Sequence, residues 1–429
     1  MADVKILFAA AEAAPIAKAG GMADVEEVRA CWMTQYAYLG MTEPELRAAA
    51  QEMLAGGLNT VYFNVYGGGG QTFWPSKAFV AAGGTSAITT FDQTRYLVRI
   101  FREEGLTVGA WFEYGLALSS VSHPIAVLHP DWLARDSGGD PVTGENGGFV
   151  FLSPGHPEVK QLMVDMSREL AESYAFDDIQ LDRFRWGRKS SGREYGYEAV
   201  TANLYQSQFG SAPPSNRNNS QWVAFREGLV NDVVEACYDA IKAANPNIVV
   251  SSAPTGSYGI TQHMQRWSAW VSGGYMDLVM PQMYLTSLSS FISEFNTQRA
   301  QAGVHVDKLG VGYRAQDSND WGSVRSQLDH ARSQGIPHAA LWVYHFYTSV
   351  PAIRDELDNL PLPGRPWEQT AVNPFVSDCN ELFFIDDADG EYEEAGAGWI
   401  DSAQGDYFAF GSRVAPGGAG LNASFRGAV

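Results

Sequence analysis

The chain is poor in the residues that would tie it to several common functions. Three cysteines in 429 residues, Cys31, Cys237 and Cys379, are too few and too widely spaced for a disulfide framework or a zinc cluster. Basic side chains are scarce, with 29 Lys and Arg against 49 Asp and Glu and a formal charge of −20. A surface of that sign repels phosphate backbones, so nucleic acid is not an expected partner. No run of 18 apolar residues occurs, and no membrane-spanning segment is expected. The eight histidines show no ligand spacing, and His123 and His129 lack acidic partners at metal-binding intervals. Neither a metal nor a cofactor is expected. Gly67–Gly70 lacks the Lys-Ser/Thr ending of a phosphate loop and reads as a flexible loop, and Asp386–Asp389 reads as an acidic turn. Aromatic residues, in contrast, are plentiful at 12%. They suit stacking on flat apolar ligand faces, sugars among them, as well as filling a large core.

From Glu27 onward, strand-like and helix-like segments alternate. Strands are expected at 27–34, 60–66, 107–113, 178–182, 247–252, 277–284, 308–313 and 338–344. Thr42, with Pro44 and Glu45 behind it, opens a helix that Gly56-Gly57 ends. Further helices are expected at 92–104, 157–174, about 219–244, after Ser287 and about 321–334. Eight strands, each followed by a helical pattern, predict an α/β fold, a (β/α)8 TIM barrel over 27–360. A doubly wound open sheet is the alternative, and the long irregular stretches after strands two to four favour the barrel. Around it the sequence places a leader (1–26), a Pro-rich linker (361–371) and a small, truncated all-β module (372–429). A short secretory signal is a weaker reading of the leader, because Glu12 and Pro15 interrupt its apolar stretch.

Barrel chemistry sits at the C-terminal ends of the strands. Alternation puts Gly109, Trp111 and Glu113 on one face of strand three, and Asp178, Gln180 and Asp182 on one face of strand four. If those faces point inward, Glu113 and Asp182 converge at the mouth, the paired carboxylates that glycosidic cleavage needs. An Arg183 directed into the cleft is expected to keep Asp182 ionised as nucleophile or base, leaving Glu113 as the acid. The aromatic, amide and basic residues at other strand ends are the expected sugar contacts: Trp32, Asn64, Tyr66, Tyr114, Gln180, Gln282, Tyr284, Trp342 and Tyr344, with Trp111, Arg183 and Arg185. The basic, aromatic loop through Arg183, Arg185, Trp186, Arg188 and Lys189 either holds an acidic sugar or neutralises neighbouring acids. Asp177–Asp182 superficially matches the chitinase strand-four signature, but the catalytic Glu of that signature falls on Phe184, which excludes its mechanism.

Three resemblances follow from quoted segments. Val4–Phe8 looks like a buried parallel strand, and Lys18–Val25 like a glycine-rich turn entering a helix. Together they resemble the opening of bacterial glycogen (starch) synthase, which implies a glucosyltransferase only if a nucleotide-binding sheet follows, and none does. Asp386–Asp389, Gly398-Trp399 and Gly411–Ala415 resemble a golvesin-like β-sandwich module. The third resemblance covers about 27–350. Arg29–Thr34, Trp111–Gly115, Pro130–Asp136, Phe151–Val159, Asp178–Asp182 and Pro281–Tyr284 occur in the order found in the glycoside-hydrolase-like family 10 domain, closest to its cyanobacterial-type members. That resemblance implies a TIM-barrel glycosidase acting on a polysaccharide, with relatives acting on peptidoglycan glycan strands. Asp182 matches the first acid of the family's paired aspartates, and Arg183 stands where a second Asp is usual. A catalytically decayed, carbohydrate-binding barrel is the alternative that this departure raises. No oligomeric state is implied.

Overall fold

Strands buried on both faces are what a parallel sheet wrapped by helices requires. The computed structural model describes residues 27–344 except 89–91, 146–147, 189–193 and 316–317, without the side chains of 318–321, and short strands at Lys5–Ile6 and between Leu382 and Arg426. Eight parallel strands form one sheet: β1 (Arg29–Met33), β2 (Thr60–Asn64), β3 (Thr107–Phe112), β4 (Asp178–Leu181), β5 (Val249–Ser252), β6 (Leu278–Val279), β7 (Val311–Arg314) and β8 (Ala339–Trp342). Their order is β6-β5-β4-β3-β2-β1-β8-β7. The two ends meet, because Val279 bridges Leu309 and Gln282 bridges Gly312. Gly310 and Gly312 donate their N–H groups to the carbonyls of Val279 and Pro281 at 2.8 and 2.9 Å. The sheet is therefore a (β/α)8 barrel and not an open doubly wound sheet.

Helices α1 (Glu43–Ala55), α2 (Gln93–Glu103), α3 (Pro157–Ser173), α4 (Ser220–Ala244), α5 (Trp267–Gly273), α6 (Leu288–Ala302) and α7 (Ser318–Ser333) run between the strands. Thr42 and Glu45 form the capping box that opens α1. Helix α5 has no side-chain N-cap, which is why its start carries no sequence signal. Residues 345–381, which include the expected linker, lie outside the described residues. Lys5–Ile6 pairs antiparallel with Leu382–Ile385, which pairs with Tyr392–Ala395. This corrects the expected parallel strand at Val4–Phe8. Ala397–Ile400, Tyr407–Phe410 and Phe425–Arg426 form a second antiparallel sheet. Among the described residues, no helix is long and apolar enough to cross a membrane.

Alternation divides the core in two. Cys31, Met33, Val61, Phe63, Val108, Ala110, Ile179 and Leu181 face the helices, while Ala30, Trp32, Tyr62, Trp111, Val249, Leu278, Met280 and Ala340 fill the barrel. Three large rings in one barrel leave no room for side chains opposite them. Gly109 pairs in register with Tyr62, and a Cβ there would lie 2.4 Å from the tyrosine ring. A Cβ on Gly312 would stand 3.0 Å from the Trp32 ring. Gly109→Ala should therefore destabilise the fold by about 1–3 kcal/mol through overpacking. Urea unfolding measures this, and an unchanged midpoint would contradict the packing described.

Candidate active site

Because β4 alternates, Asp178, Gln180 and Asp182 all point into the barrel, and Asp182 comes last, at the mouth. The residue is only 2% exposed. Oδ2 accepts from the Trp111 indole and from the Gln282 amide, each at 3.2 Å. Oδ1 accepts the Arg183 backbone N–H at 2.8 Å. Burial pushes the Asp182 carboxyl up to about 6, against the pull of Arg183 and Arg185. Gln282 is fixed by a second bond, to the carbonyl of Ala253 at 2.9 Å. Around the carboxyl stands an aromatic basket: Trp32 packs on Trp111 and Trp342 with centroids 6.2 Å away, and Trp342 lies 6.1 Å from Tyr284.

Glu113 follows β3 and sits beside this basket, partly exposed. Its Oε2 accepts from the Asn64 amide at 2.6 Å, and Asn64 also donates to Gln35 Oε1 at 2.9 Å. Arg183 Nη1 donates to the Glu113 carbonyl at 2.7 Å and lies 3.3 Å from its Oε1. The guanidinium also stands over the Tyr114 and Phe149 rings, at 5.8 and 5.7 Å. Arg183 thus pairs with Glu113; it also favours the charged form of Asp182, but burial is the larger effect there. Gly115 adopts φ +51°, and a Cβ there would come within 3.0 Å of the Asp182 and Arg183 backbone. The ends of β3 and β4 can approach this closely only over a glycine.

One layer below, the interior is polar and closed. Tyr62 donates to Asp178 Oδ2 at 2.8 Å and Ser251 to its Oδ1 at 2.7 Å. Gln180 bonds Ser251 at 3.2 Å and accepts the Trp32 indole N–H at 2.6 Å. Burial raises the Asp178 carboxyl to about 8. A continuous chain of bonds and ring contacts therefore runs from Asp178 through Gln180, Trp32 and Trp111 to Asp182.

This is the barrel end where a hydrolase keeps its acids, and one family model, Glycosyl hydrolase-like 10, matches residues 27–313 of the chain. The chain belongs to that family. Its relatives include the glycosyl hydrolase DigH of Escherichia coli, 24% identical over 263 residues, or 53% of this chain and 55% of DigH. The glycosyl hydrolase YngK of Bacillus subtilis is 25% identical over 225 residues, covering 45% of this chain and 39% of YngK. The chain thus matches about half the length of DigH. Among solved structures, the glycoside hydrolase domain of PgaB (BpsB) from Bordetella bronchiseptica aligns with TM-score 0.62 and 14% identity, over 77% of this chain and 98% of that domain. The catalytic domain of β-amylase from Paenibacillus polymyxa aligns with TM-score 0.56 and 10% identity, over 74% and 92%. These two are likenesses of fold.

As a glycosyl hydrolase-like 10 barrel, the chain brings Asp182, Glu113, Trp32, Asn64, Trp111, Tyr114, Arg183, Gln282, Tyr284 and Trp342 together at one end. Four expected sugar contacts do not join this group. Gln180 is fully buried, its amide spent on Trp32 and Ser251. Tyr66 opens a hairpin with Thr72, and its buried ring packs on Phe79 and Phe112 in the outer core. Tyr344 also packs in the outer core, with its hydroxyl 3.5 Å from Glu52. Arg185 is buried against Glu145 at 2.8 Å, and the Arg188 backbone N–H also bonds Glu145. Arg183 and Arg185 of the basic loop are thus matched to acids, while Lys189 lies outside the described residues. Sequence reasoning passed over Gln35, Tyr62, Ser251 and Glu145. For Gln35 a signal existed, since it is an amide just past the end of β1.

Asp178 supplies a test of the buried layer. Its carboxyl faces Tyr62 and Ser251, and more distantly Asp277, which raises its affinity for a proton, and Lys242, which lowers it. Because the folded value lies above the ordinary 3.8, the stability Asp178 contributes is greatest below about 4 and declines as pH rises to about 8. Asp178→Asn keeps the shape without the titration. Its stability relative to the unmodified chain should therefore rise steadily between pH 5 and pH 8, as denaturant unfolding at several pH values would show; a pH-independent difference contradicts a neutral Asp178.

Proposed function

We propose that the chain is a glycoside hydrolase that cleaves a polysaccharide of amino sugars, such as the glycan strands of peptidoglycan, with Asp182 and Glu113 as its reacting carboxylates. The observation that carries this reading is the pair itself: two acids from adjacent strands at one aromatic-lined mouth, held in unlike surroundings. Asp182, buried and accepting from neutral donors, is suited to keep a proton and deliver it to the leaving oxygen. Glu113, bonded by Asn64 and paired with Arg183, is suited to attack or to activate water. These roles are the reverse of those the sequence suggests, and the reason is the direction of Arg183. Trp342 and Tyr284, the partly exposed rings of the basket, offer faces to a pyranose, and Gln282 an amide to its hydroxyls.

Asp182→Asn should lower turnover of peptide-free glycan strands by a factor on the order of 100 to 10,000, and much less with an activated aryl glycoside that needs no proton. Glu113→Gln should lower turnover with both. In the unmodified chain the rate should fall as pH rises through about 6, when Asp182 loses its proton, and that limb should vanish in Asp182→Asn. Near-normal turnover by Asp182→Asn removes the assignment. A chain inert on every glycan that still binds one supports instead the decayed, sugar-binding barrel, the reading that Arg183 in place of a second Asp favours.

We further propose that the barrel of 27–360 is the catalytic unit, with 1–26 a fused leader, 361–371 a linker and 372–429 a partial β-rich module. Removing 1–26 should leave turnover within about threefold; a loss beyond tenfold, about 1.4 kcal/mol in the barrier, would assign the leader to the site.

A further inference from the structure

Among the described residues, two aromatic side chains stand exposed, Tyr36 at 84% and Tyr258 at 48%; every other exposed large apolar side chain is Leu or Val. Scattered surface leucines and valines need no explanation. The tyrosines differ because of where they are. Tyr36 lies on the short helix Gln35–Tyr38 directly after β1, and Tyr258 opens the helix Tyr258–Gln262 after β5. In the strand order, β1 and β5 are four strands apart in either direction around the ring. Both tyrosines therefore crown the active end of the barrel, on opposite sides of its mouth.

Each is mounted rigidly. Gln35 and Tyr38 are buried on either side of Tyr36, and Gln35 is bonded to Asn64. Gly259 and Ile260 are buried behind Tyr258, while Ser257 bonds Glu294 through its N–H at 2.6 Å and its hydroxyl at 2.7 Å. The Tyr258 ring also packs edge-on against the buried His263, with centroids 6.0 Å apart. Beyond Tyr114, whose hydroxyl accepts from Gly69 N at 3.2 Å, a polar recess of about 300 Å³ opens between Gly68-Gly69 and Ser119–His123. A ring presented to solvent on an anchored backbone loses little entropy when a flat apolar face stacks on it.

We propose that Tyr36 and Tyr258 are the outer stacking positions of a cleft that crosses the mouth, and that its ligand is a glycan chain longer than a disaccharide, bound along its length. The inference rests on the reading of Asp182 and Glu113 as the reacting pair, which would then lie beneath a bond inside the chain and not at its end.

Calorimetry on the full chain carrying Asp182→Asn, so that nothing is turned over, compares a peptide-free peptidoglycan hexasaccharide with the matching disaccharide. Tyr36→Ala and Tyr258→Ala should each weaken hexasaccharide binding by roughly three- to tenfold. The preference for the longer chain should shrink accordingly. Tyr36→Phe and Tyr258→Phe should restore it, because the ring and not the hydroxyl stacks. A preference unchanged in both Ala variants overturns the proposal, as does a chain with no preference at the outset. If Asp182→Asn still hydrolyses the hexasaccharide at a normal rate, the acid assignment fails on its own. The chain-length preference, then read from KM, still decides the tyrosines.

Discussion

The hydrogen bond from the Trp111 indole to Asp182 joins the inside of the barrel to its mouth. Trp111 is wedged against Trp32 and Trp342, and Trp32 is tied through Gln180 and Ser251 to Asp178. The direction of the indole is therefore set by packing within the barrel and not by a surface loop. The same packing requires glycine at 109 and at 312, where the rings occupy the space of a side chain. Asp182 inherits this rigidity. It is also why its surroundings are dry enough for burial to outweigh two nearby arginines.

Charge is distributed with similar economy. The chain is strongly acidic, yet the loop after β4 carries arginines, and those with described partners face acids: Arg183 with Glu113 and Arg185 with Glu145, as Arg226 of α4 faces Glu194. A buried guanidinium without a carboxylate would be costly, and a buried carboxylate without a donor equally so. The loop after β4 is thus an internal neutralising device. It ties the segment that carries Asp182 to the neighbouring loops.

The barrel was legible because its signal is repeated eight times, and Glu113 and Asp182 because period-two alternation carries inward-facing residues to the strand ends. Legibility stopped where the chain left the ladder. Tyr66 follows Asn64 by two residues, which in a continuing strand would put both in the mouth, but it enters a hairpin with Thr72 and turns outward. Tyr344 fails likewise, two residues past Trp342 at the end of β8. The Asp178–Tyr62–Ser251 layer joins three strands far apart in sequence, and no local pattern announces it. The reach of Arg183 was equally invisible, since a long side chain chooses its partner in three dimensions.

That reach bears on what Arg183 means in place of a second acid. Successive residues of a strand point to opposite faces, so 182 and 183 cannot both continue the inward column of β4. An acid at 183 would not stand where Asp182 stands. In this chain the second carboxylate of the mouth comes from the neighbouring strand, as Glu113, and Arg183 spans the gap to bond both its carbonyl and its carboxylate. Arg183 is thus a cation that fixes an acid of the mouth. Two carboxylates remain at the end of the barrel, one among neutral donors and one paired with a guanidinium, and it is this difference in surroundings that acid and base roles require.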